Sequence, residues 1–197
     1  MSLRAAILVV TGALALVAGA PAARGQEAEV SPDGPEHVKV YATEAEALDK
    51  VFPGADRHWS EPWRPEPAQR EAVQSRLGWA VPEEEFVFHR ATQGGRDLGW
   101  ALVLEEKGRF KPITFLVHVA PDLSVSSVIV MVYRESRGDA VRRPRFLKQF
   151  EGRAVADPLR LNRDVVGISG ATLSSRALAA GVRKALVLTD ARYGGRP

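Results

Sequence analysis

Four strand-length runs follow one another between Phe86 and Tyr133, and each is separated from the next by a turn signal. Phe86 and Phe88 alternate with Val87 and His89, with Arg90 continuing the first face. Gly94-Gly95 then turns the chain into an apolar run from Leu98 to Glu105. After Lys107-Gly108, Ile113, Phe115, Val117 and Val119 point one way, with Thr114, Leu116 and His118 on the other face. Pro121-Asp122 leads into Val125 to Tyr133. A period of two means strands, and connections this short join neighbours antiparallel. The runs are therefore four strand candidates in meander order.

Helical signals lie on both sides of it. Thr43-Glu44-Ala45-Glu46 has capping-box spacing, Ala47, Leu48 and Val51 form an apolar stripe, and Pro53-Gly54 stops it. Pro67 opens a second helix over 68–77, ended by Gly78. Beyond the strands, Pro144 starts a short helix carrying Phe146, Leu147 and Phe150, ended by Gly152. From Ser174 to Leu188, Ala177, Leu178, Gly181, Val182, Ala185 and Leu186 make a broad apolar face, with Arg176, Arg183 and Lys184 outside it. The predicted class is α+β, an antiparallel sheet with packed helices. Trp59 and Trp63, in the Pro-rich stretch 55–67, are read as cover for a core edge rather than a stacking site.

With 197 residues, 45% hydrophobic and 26% charged, the chain suits one globular domain. Residues 1–25 read as a secretory signal peptide: Arg4, an apolar run to about Ala18, then Ala20-Pro21-Ala22 as the cleavage signal. The run is shorter than the roughly 20 residues of a membrane span, and an uncleaved tilted anchor is the alternative. Residues 26–40 read as a linker and 41–197 as the single domain. Removing Arg4 and Arg24 takes the formal charge from +3 to +1, so nothing asks for nucleic acid. Without cysteine there is no disulfide, iron–sulfur cluster or attached c-type haem, so redox chemistry would need an organic cofactor or a non-thiolate metal.

The last helix is preceded by Gly167-Ile168-Ser169-Gly170-Ala171-Thr172-Leu173-Ser174-Ser175. Glycines open the turn, and hydroxyls fall where helical N–H groups lack partners. By itself such a run is more often a helix cap than a site, but it also suits an anion, phosphate above all. The ordered match Ser-Gly-Ala-Thr-x-Ser-Ser resembles the flavinylation motif of the FMN-binding domain family, which includes the flavin-carrying components of the Rnf electron-transport complex and of the sodium-translocating NADH:quinone reductase.

The resemblance extends over roughly 98–188. Gly108 to Tyr133 matches the family's strands, Glu135-Ser136-Arg137-Gly138 its Glu-Ser/Thr turn, and Arg145 to Gly152 its short Phe-containing helix. It implies an FMN-binding-domain-like fold, with FMN joined through its phosphate to Thr172 by a separate flavin transferase. Ser169, Gly170, Ala171, Ser174, Ser175, Glu135 and Ser136 would lie around the cofactor, and Arg134, Arg137 or Arg145 could add charge to the phosphate. The family's transferase-recognition pattern has Asp six residues before the acceptor; here that position is Val166, and the nearest acid is Asp164.

Other chemistries lack their residues. Ala171 replaces the last glycine of a nucleophile elbow, and every histidine precedes Ser169, so the usual order of a serine triad is impossible. The four histidines show no metal-ligand spacing, and there is no phosphate loop. The expectation is an exported, extracytoplasmic flavoprotein electron carrier with an unknown membrane or extracytoplasmic redox partner, rather than an enzyme with its own substrate. The alternatives are a non-redox binding module of the same fold and a noncovalent FMN reductase.

Overall fold

The computed structural model describes residues 37–195. The expected signal peptide, its cleavage site and the linker up to residue 36 lie outside the described residues. One six-stranded antiparallel sheet, in the order β1-β6-β5-β4-β3-β2, carries the fold. The four expected strands are present as β3 (Phe86–Gln93), β4 (Arg96–Lys107), β5 (Pro112–Val119) and β6 (Val125–Tyr133). Two further strands sit at the edges.

β1 (Lys39–Val40) pairs with the end of β6, in the stretch read as linker. β2 (Arg57–Trp63) pairs with β3 along its full length, in the Pro- and Trp-rich stretch where no strand was expected. Pro62 is tolerated there because an edge strand has one side with no ladder to serve. Trp63 packs on Phe86 and Phe88, while Trp59 is met by the guanidinium of Arg90 at 5.0 Å, which agrees with their reading as edge cover.

Alternation gives the sheet two apolar faces, and helices cover both. Ile113, Phe115, Val117 and Val119 face α2 (Pro67–Leu77) and α4 (Thr172–Tyr193) in the larger core, which the short α3 (Pro144–Leu147) joins through Phe146. Leu116 and Met131 join Ala47, Val51 and Phe52 of α1 (Glu44–Val51) and its end in a smaller one. His118 belongs to this second face: its Nε2 lies 2.8 Å from the Leu98 carbonyl, its ring packs edge-on to Phe52, and burial lowers its pKa. Thr43 caps α1 with the full reciprocal box. Each large apolar side chain buried here contributes about 1.5–3 kcal/mol, so α4, with Leu178, Val182, Leu186 and Leu188 inside, anchors the larger core.

Lys184 departs from its expected solvent position. It is 3% exposed, with its ammonium 2.6 Å from both Glu83 and Glu106. Only the fold brings those two carboxylates, from a loop and from β4, against the apolar face of α4. Among the described residues, no helix is long and apolar enough to cross a membrane.

Candidate functional site

Three segments distant in sequence meet at one end of the sheet. The β4–β5 turn, the chain leaving β6 and the start of α4 enclose a cavity of about 530 Å³. It is lined by Arg109 and Phe110 from the first, by Glu135 to Gly138 from the second, and by Gly170 to Ser174 from the third.

A buried carboxylate joins the first two segments. Glu135 is 5% exposed, and its Oε1 accepts from the backbone N–H groups of Phe110 at 2.8 Å and Lys111 at 3.1 Å. An acceptor of this kind replaces water for two turn amides at once, so the acid fixes the cavity wall. Tyr133 joins the second and third segments. Its hydroxyl donates to the Arg137 carbonyl at 2.6 Å and lies 2.8 Å from Ser174 Oγ. Because the tyrosine proton is committed to Arg137, the serine donates to the tyrosine oxygen. Burial pushes the Tyr133 pKa up to about 12, although the Ser174 contact opposes it, so the phenol stays protonated. Gly138 sits over this pair with φ 97°, and a Cβ there would meet both oxygens. No other residue fits its place.

The start of α4 differs from the hydroxyl-capped terminus read from the sequence. The helix begins at Thr172, its N-cap is Ala171, and no side chain caps it. Ser174 turns inward to Tyr133, and Ser175, fully buried, accepts from the Ile168 N–H at 3.2 Å. The hydroxyls thus brace the turn from behind, leaving the first-turn N–H groups without a side-chain partner. Gly170, at φ 77°, lets the chain reverse into the helix. Thr172 is exposed at the first helical position.

Of the residues singled out from the sequence, the cavity gathers Thr172, Gly170, Ala171, Ser174, Glu135 and Ser136. Ser169 and Ser175 do not line it; Ser169 is exposed and Ser175 lies behind the turn. Arg137 lines the cavity, whereas Arg134 lies along the sheet, bonded to the Pro112 carbonyl and Thr114 and ion-paired with Glu105. Arg145 faces a second cavity of about 490 Å³, beside Arg143, Phe146, Gln149 and residues 166–168. Arg109, stacked over Phe110 at 4.8 Å, and Phe110 itself were not anticipated. Their only sequence signal is a basic-aromatic pair after a turn glycine, and meander geometry is needed to bring it beside α4.

The turn before α4 is held separately. Gln149 accepts from the Val166 N–H at 2.8 Å and donates to its carbonyl at 3.1 Å, leaving the valine side chain outward with the residue 72% exposed. Asp164 accepts from the Arg160 N–H at 2.8 Å within its own turn.

An uncapped helix N-terminus, two arginines and an aromatic ring on the facing wall fit a ligand with a phosphate at one end and a flat apolar body at the other. The cavity thus has the lining that a phosphorylated aromatic ligand would need. Residues 108–187 match the family model of the FMN-binding domain, a span that includes every residue lining the cavity. This part of the chain is thus similar to an FMN-binding domain, and the match points to a flavin as the ligand of the cavity. No curated protein matches the chain.

Proposed function

We propose that this protein is an exported electron carrier whose FMN is joined through a phosphoester to Thr172. The observation that carries the reading is the contrast among the hydroxyls of the motif. Ser174 and Ser175 are buried and bonded inward, and Ser169, though exposed, does not line the cavity, whereas Thr172 stands exposed on the cavity rim at the uncapped start of α4. A phosphate on Thr172 would meet the first-turn N–H groups and the positive end of the helix, with Arg109 and Arg137 within the same cavity. Phe110 and Leu173 supply apolar surface for the ring. Bound FMN supplies reversible electron uptake and release, while the chain sets its orientation, exposure and charge environment.

A carrier reading accounts for what the cavity lacks. Its lining contains no histidine or cysteine, and its one carboxylate is committed to two turn amides. Tyr133 behind the wall holds its proton to about pH 12. Nothing there is poised as a general acid or base for a substrate of its own. Attachment through the phosphate would keep the cofactor on an exported protein without tight noncovalent binding.

The test is ultraviolet fluorescence of the denatured protein band, from cells exporting the protein with and without a flavin transferase, beside Thr172→Ala. The expected band is bright only with the transferase and Thr172 together. A bright Thr172→Ala band would refute the attachment site, and a dark band under all conditions would refute covalent attachment.

A further inference from the structure

We propose that the second cavity is the docking site for an acidic, apolar-tipped surface of the protein that exchanges electrons with the flavin. This rests on the carrier reading above. Arg143 and Arg145 frame the cavity, and Phe146, Val166 and Ile168 give it an apolar wall. Both arginines are exposed, and neither makes an ion pair among the described residues.

The charge of the surrounding chain is one-sided. Residues 108–187 carry 14 lysines and arginines against 6 acidic residues, whereas 37–107 carry 9 against 13. Most of those 6 acids are already engaged: Glu135 holds two turn amides, Asp139 pairs with Lys39, Asp157 with Arg153, and Asp122 and Asp164 close local turns. Arg134 and Lys184 pair with acids of 37–107, whereas Arg143 and Arg145, without an ion-pair partner among the described residues, are left for something outside the chain.

Arginine rather than lysine at both rim positions favours carboxylates, which the planar guanidinium can grip with two parallel bonds. The apolar wall calls for a hydrophobic side chain between those carboxylates. Val166 is fixed for that contact, because Gln149 holds its backbone from both sides. A lipid surface fits less well, since membrane-binding faces present several protruding apolar groups, whereas here Val166 alone of the three is strongly exposed and Phe146 is recessed at 2% exposure.

Position supplies the link to redox function. Ile168 lines this cavity and Gly170 lines the first, so one residue, Ser169, separates the walls of the two, at most about 7 Å along the chain. A partner seated here would lie beside the flavin without displacing it.

The experiment follows backbone amide shifts of the flavin-loaded protein as three probes are added. These are a short peptide alternating glutamate and leucine, its glutamine-leucine counterpart, and vesicles of phosphatidylglycerol. Flavin absorbance is read on the same samples. We expect the acidic peptide to shift residues 143–149 and 166–168, with an affinity about tenfold weaker on going from low to high salt. Arg143→Gln with Arg145→Gln should remove those shifts while absorbance and melting temperature hold. Equal binding of the glutamine peptide, shifts elsewhere, or no shifts would overturn the proposal. So would vesicle binding that depends on Arg143 and Arg145, which would make the patch a lipid site. Absent flavin absorbance would instead mark failure of the carrier reading, whatever the peptide does.

Discussion

At the scale of single residues, hydrogen-bonded carboxylates, Glu135 buried and Glu61 partly exposed, brace the cavity and the far edge of the sheet. Glu135→Ala would strand two turn N–H groups, and at about 1–3 kcal/mol for each unsatisfied buried group the loss should be about 2–6 kcal/mol. Glu135→Gln keeps an acceptor and should lose less, so urea denaturation of the two variants should rank them in that order. Glu61 is the counterpart on β2. Burial favours its neutral form, but donation from Tyr193, Trp59 and Arg90 outweighs that and takes its pKa down from 4.5 to about 2. Because the folded pKa is depressed, its contribution is complete above the unfolded value and disappears as pH falls through the folded one. The stability difference between the natural protein and Glu61→Gln should therefore be flat above about pH 5 and shrink toward zero near pH 2, as denaturation at a series of pH values would show.

At the scale of elements, α4 is both scaffold and site, and its contact with β5 fixes where the cavity opens. Gly181 faces Phe115, and a Cβ would overlap that ring and press on the Glu106 side chain. Alanine gains up to about 1 kcal/mol of helix propensity, whereas overpacking costs about 1–3 kcal/mol. Gly181→Ala should lower the melting temperature by several degrees, and a rise would mean that helix and sheet separate more easily than their packing suggests. This element also shows the reach of sequence reading. Its apolar face was legible because it repeats at helical spacing, but its start was placed at Ser174 rather than Thr172, since serines read as caps when they in fact bond backward to Tyr133 and Ile168. Lys184 was read as outward because its two acidic partners belong to other elements. The edge strands β1 and β2 were missed for a related reason: two residues carry no period, and Pro62 argues against a strand unless its edge position is known.

At the scale of the whole molecule, the sheet alternates cleanly enough for its four inner strands to be legible, and helices over both faces follow from that alternation. The site was legible in its α4 half and its Glu135 turn. Its third wall, Arg109 and Phe110, was not, because nothing local to that turn says which helix it will face. What unites the molecule is a division of labour between a bracing interior and an open rim: Glu135, Tyr133, Ser174 and Ser175 hold three segments together, and Thr172 is left exposed where they meet. The most direct measurement of that claim is peptide mass mapping of the protein matured with a flavin transferase. The account predicts one peptide heavier by FMN less a water, with fragmentation placing the addition on Thr172. The same addition on Ser169, Ser174 or Ser175, or unmodified peptides from a protein that still carries flavin, would contradict it.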